Sequence, residues 1–139
     1  MPAKNIHHDA VIRALEADGW TITDDPLWLQ YDETDMFVDL AAERLPIGAE
    51  KGTQKIAVEI QSFLSPSPVR DLQQAVGQYS VYRIVLKEQQ PERLLFLAVT
   101  QDVNERVLAD EFGQLIVSEM SLKVLVFDDT SERIVKWIE

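Results

Sequence analysis

The sequence predicts a mixed α/β single domain in which helices flank a central mixed β-sheet. Three observations carry that expectation. KIAVEIQSF, residues 55–63, alternates with period two, as a half-buried strand does. VRDLQQAVGQYSVYRIVL then carries Leu72, Ala75, Val76, Tyr79, Tyr82 and Leu86 as a broad apolar stripe at helical spacing. RLLFLAV, residues 93–99, reads as a buried strand. Strand, long helix and strand in that order build a sheet covered by helices.

The remaining elements follow along the chain. His8-Asp9 opens a first helix, with Val11, Ile12 and Leu15 on one side and Gly19 as its stop. Two short strands are expected around Asp24-Asp25-Pro26, and a third begins near Thr34. Residues 44–53, with Pro46, Gly48 and Gly52, read as a turn. Ser67-Pro68 supplies an N-cap and a first-turn proline for the long helix. A helix is expected from residue 104 to about 112 and another over 115–120. KVLVF and IVKWI close the chain as strands, separated by Asp128-Asp129-Thr130-Ser131.

Bulk properties narrow the function. A chain of 139 residues suits one domain with a real core. No apolar run approaches the length of a membrane span, and MPAKNIHHDA lacks the apolar segment of a signal peptide, so the cytoplasm is the default location. Without cysteine there is no thiolate metal site. Lys and Arg number 13 against 24 Asp and Glu, a net charge of −11. Nucleic-acid binders ordinarily carry a basic surface that displaces counterions from phosphates. A tight DNA complex of this chain alone is therefore not expected; a metal ion, a local patch or a basic partner would have to supply positive charge. The tryptophans Trp20, Trp28 and Trp137 are expected to seal the core or an interface, and Tyr79 and Tyr82 to lie in the core.

Two carboxylates hold the chemical interest. On residues 55–63, Ile56, Val58 and Ile60 share one face and Ala57, Glu59 and Gln61 the other. In TDMFVDLAAE, Phe37, Asp39, Ala41 and Glu43 alternate with Met36, Val38, Leu40 and Ala42. Asp39 thus sits among apolar neighbours, a costly position unless it is paired or bound to a cation. If the strands are adjacent and in register, Asp39 and Glu59 converge, and converging carboxylates suit Mg²⁺ or Mn²⁺. Otherwise the two line a polar sheet edge.

HDAVIRALEADGW, DLAAER, VEIQSF, SPVRDLQQAVGQY, PERLLFLAV and VKWI occur in order across nearly the whole chain. With these motifs the sequence resembles the XisH family, the cyanobacterial fdxN element excision controlling factors, whose fold is that of the PD-(D/E)XK, or restriction-endonuclease-like, nucleases. The resemblance implies that Asp39 and Glu59 are the two motif carboxylates, holding one Mg²⁺ or Mn²⁺ with the backbone carbonyl of Ile60. Such an ion acidifies a bound water and stabilises charge on a phosphate.

Gln61 stands where the nuclease motif has lysine. It can orient a water, but it is neutral and a very poor base. Some restriction enzymes of this fold work with glutamine or glutamate there. Lys55, on the same strand face, is too distant to substitute, whereas Lys51 lies in the preceding loop. His8 falls where related folds place an auxiliary polar residue, or it simply opens the helix. Gln78 either points back at the site or packs on the surface.

The function implied is an accessory or controlling factor for excision of a DNA element, acting with an XisI-like companion protein and a site-specific recombinase. The alternative is a Mg²⁺-dependent endonuclease with a D…ExQ site. Self-association into a homodimer is compatible with a domain of this size, with no face assigned.

Overall fold

The computed structural model describes residues 5–45 and 52–139. Helix α1 (His8–Ala17) stops at Gly19, whose φ of +90° is a conformation that glycine adopts without a Cβ penalty. Strands β1 (Thr21–Asp24), β2 (Leu27–Tyr31), β3 (Thr34–Val38), β4 (Leu40–Arg44) and β5 (Gln54–Ile60) precede the 22-residue helix α2 (Pro68–Gln89). Ser67 caps α2 as its sequence indicates, its side chain accepting from the Arg70 N–H, with Pro68 in the first turn. Strand β6 (Arg93–Thr100) leads into the short helix α3 (Gln101–Val103), a π-helical turn (Asn104–Leu108), helix α4 (Glu111–Glu119) and the hairpin of β7 (Val124–Asp128) and β8 (Arg133–Ile138).

Six strands form the main sheet in the order β1-β4-β5-β6-β7-β8, and β2 pairs with β3 in a separate hairpin. Strands β5, β6 and β7 are parallel, whereas β4 runs antiparallel to both β1 and β5, and β8 antiparallel to β7. The fold is the mixed α/β domain expected, with its central sheet mixed and flanked by helices. Side-chain alternation divides the core. Val11 and Leu15 of α1 pack with Leu40, Ile56, Val58, Ile60 and Phe127 on one face. On the other, Leu72, Ala75 and Tyr79 of α2 pack with Ala41, Ala57, Leu97 and Val99, joined by Leu27, Leu29 and Val38 of the hairpin. The face of β5 that bears Glu59 therefore lies in the interior, on the α2 side.

Several boundaries differ from expectation. TDMFVDLAAER is two strands in two sheets, with Asp39 as the bend between them. Alternation resets at that bend: Val38 packs with Ala41, not with Leu40. The two helices expected after β6 are a helical turn that widens to π and then α4, whose N-cap Asp110 accepts from the Gly113 N–H. Trp20 is buried and Trp137 packs tilted against it and edge-to-face with Phe96, but Trp28 is exposed, its indole N–H donating to Asp35. Most of the turn read over residues 44–53, Lys51 included, lies outside the described residues.

Candidate metal centre

The topology brings one rim of the sheet together. Strands β5, β6 and β7 end there with Ile60, Thr100 and Asp128, and β4 begins there just after Asp39. The carboxyl ends of strands are where open α/β sheets bind ligands.

Leu40 pairs with Val58 across β4 and β5, so one step outward Asp39 stands beside Glu59. The chain turns at Asp39, and this frees its side chain to fold back on β5. Asp39 Oδ2 accepts from the Ile60 N–H at 2.8 Å, and the Asp39 N–H donates to Glu59 Oε1 at 3.3 Å. Backbone thus holds both carboxyl groups from opposite sides. Glu59 is buried, only 6% exposed. Burial, and then the Asp39 carboxylate beside it, push its pKa from 4.5 up to about 9. At neutral pH Glu59 keeps its proton. Among the described residues no Lys or Arg forms an ion pair with either acid.

Gln61 follows on the same face of β5. Its amide N–H donates to Gln78 Oε1 of α2 at 2.5 Å, so the two glutamines meet above the strand end. Tyr82, one helical turn beyond Gln78, is half-buried, and its phenol is pushed up to about 12 by burial and by Glu59 and Asp39. Tyr82 is thus a site neighbour that its place in an apolar stripe concealed. The spacing from Gln78 was the available signal, since residues four apart share a helix face.

The Ile60 carbonyl accepts from Asn5 Nδ2 at 3.4 Å. Asn5 Oδ1 in turn accepts from the Ser62 hydroxyl at 2.5 Å, and Ser62 Oγ lies 2.8 Å from His7 Nδ1. Nothing in the spacing of Asn5, His7 and Ser62 announces that contact. His8 goes elsewhere: it is buried, with Nε2 2.7 Å from Asp25 Oδ1 and Nδ1 without a partner among the described residues. It braces the end of β1 rather than hydrogen-bonding to the acid pair. Lys55 pairs with Glu92 at 3.8 Å, toward the other end of β5.

The donor set fits a hard cation. Asp39, Glu59 and the Ile60 carbonyl offer oxygen alone, which suits Mg²⁺ or Mn²⁺. Among the described residues no group of three or more His, Asp or Glu converges.

A cavity of about 270 Å³ lies between Trp20, Phe96, Trp137, Arg44 and Lys55. Its cations are already paired, Arg44 with Asp18 at 2.8 Å and Lys55 with Glu92, so it has less unspent chemistry than the acid pair.

Comparison with known proteins gives the chain its relatives. The family model for the XisH protein matches residues 1–135. A crystal structure of an XisH family protein from Nostoc punctiforme PCC 73102 has a TM-score of 0.87 at 37% identity, covering 97% of this chain and 100% of that one. That of a fdxN element excision controlling factor protein from Anabaena variabilis also has a TM-score of 0.87 at 37% identity, covering 98% and 100%. No curated protein matches the sequence. The chain belongs to the XisH family.

Proposed function

We propose that the chain is an accessory factor controlling excision of a DNA element by site-specific recombination, on a restriction-endonuclease-like scaffold that does not itself cut. Support comes from the family and from the Anabaena relative named for excision control. Strand exchange then belongs to a recombinase, and an XisI-like companion protein completes the assembly. The charge of −11 agrees with a protein that meets other proteins and does not grip DNA tightly alone.

One observation favours control over cleavage: the place of the nuclease lysine is held by Gln61, whose amide is tied to Gln78. A lysine there stabilises charge developing on the phosphate; a neutral amide committed to a neighbour does not. Asp39, Glu59 and the Ile60 carbonyl would hold one Mg²⁺ or Mn²⁺. When bound, the ion supplies the positive charge that allows Glu59 to ionise. The Ile60 N–H orients Asp39, and the Asp39 N–H orients Glu59.

The test is excision of a plasmid-borne element by recombinase and companion protein, with this chain, without it, or with its Asp39→Asn variant. The excision rate should fall at least about tenfold when the chain is left out, a rise of about 1.4 kcal/mol or more in the effective barrier. Excision that proceeds equally well in its absence removes the assignment. The convergence of Asp39 and Glu59 favours a second reading, a D…ExQ endonuclease. Incubation of supercoiled DNA with Mg²⁺ or Mn²⁺ decides it: no nicking is expected, and nicking abolished by Asp39→Ala would establish the enzyme instead.

A further inference from the structure

Helix α2 buries one side against the sheet and turns the other to solvent. Arg70, Gly77, Val81, Ile84 and Glu88 lie on the outward side, within a narrow stripe when placed at 100° per residue. Val81 is 50% and Ile84 68% exposed, two β-branched side chains one turn apart on the outward side. Gly77 is equally out of place, because glycine weakens a helix interior relative to alanine. Nothing among the described residues requires it: a Cβ added there meets no atom within 4 Å beyond its chain neighbours and its own helix backbone. At the two ends of the stripe stand Arg70 and Glu88, exposed and outside every ion pair among the described residues.

We infer that this stripe is a two-fold interface on which a second copy of the chain docks, its α2 antiparallel to the first. The occupant follows from charge and spacing together. An antiparallel pair centred at the height of Tyr79 sets residue 77 opposite residue 81 of the other copy, and residue 70 opposite residue 88. Each Val81 then enters the space left by a Gly77, and each Arg70 meets a Glu88. The register that satisfies the knobs also satisfies both charged ends, the self-complementarity that an isologous contact demands. A partner of different sequence has no reason to match this internal symmetry.

The stripe carries one positive and one negative residue in a chain of net charge −11, so two copies meet there without the repulsion the rest of an acidic surface imposes. Helices crossing at about 20° stay in contact over this length. One helix pair is a small interface, which places the dimer in the micromolar range. The opposite side of α2, with Gln78 and Tyr82, stays with the acid pair.

Sedimentation equilibrium over micromolar concentrations tests the interface. The unaltered chain is expected to be a monomer–dimer mixture, and Arg70→Glu to weaken the dimer at least about tenfold by placing like charges at both ends. Arg70→Glu combined with Glu88→Arg should restore it. Gly77→Leu, which fills the seat for Val81, should yield a monomer whose thermal midpoint is no lower than that of the unaltered chain. A chain monomeric throughout, a charge reversal that the double exchange fails to rescue, or a Gly77→Leu protein that still dimerises would each overturn the inference.

Discussion

Glu59 titrates near 4.5 in an unfolded chain and at about 9 in the fold. The stability tied to this group is whole below pH 4.5, declines across that window as the unfolded chain gives up a proton the folded one retains, and is gone above about pH 9. Glu59→Gln keeps the shape and removes the titration. Urea unfolding of the two proteins should therefore agree near pH 4, and the variant should be more stable by about 1–3 kcal/mol near pH 8. Parallel pH profiles would show that the carboxyl group is neither buried nor coupled to Asp39. Much of this residue-scale picture was legible in the sequence. The period of residues 55–63 puts Glu59 and Gln61 on one face, whereas their meeting with Asp39 and Gln78, left open by the sequence, depends on strand order and on the bend at Asp39. Tyr82 was not, because an aromatic at helical spacing looks the same whether it caps a core or covers two acids. Asn5 depends on a contact between residues 55 positions apart, which no local pattern encodes.

At the scale of elements, α2 was readable from its Ser67-Pro68 start and its apolar stripe, and the structure returns both. Ser67→Ala should cost about 1 kcal/mol by leaving the Arg70 N–H uncapped, measurable as a lower denaturation midpoint. Gly113 is the more stringent case. A Cβ there would stand 2.2 Å from the Val107 carbonyl and 2.7 Å from the Leu108 Cα, backbone that cannot step aside. Gly113→Ala should therefore destabilise by about 2–4 kcal/mol, and a variant as stable as its parent would mean that α4 does not pack on the π-helical turn. Neither that turn nor the break between β3 and β4 was visible beforehand. Hydrophobic alternation runs on unbroken through Met36, Val38 and Leu40, and the division into two sheets is decided by where the hairpin of β2 and β3 packs. The bend is nevertheless what the site needs, since it frees Asp39 to reach back to the Ile60 N–H.

Over the whole molecule, parallel strands β5, β6 and β7 and the short link from β3 to β4 gather the polar groups at one rim, while α1 and α2 bury the two faces. In a chain of net charge −11, added positive charge is useful between the buried acid pair, Asp39 and Glu59. A proton occupies that role at neutral pH, and a hard cation should displace it. Isothermal titration with Mn²⁺ near neutral pH, in buffers of different ionisation enthalpy, measures the exchange directly. Roughly one proton should leave per ion bound, and both the binding and the release should disappear in Asp39→Asn and Glu59→Gln. Mn²⁺ that binds without releasing a proton, or equally well to all three proteins, would contradict a shared acid pair at this site.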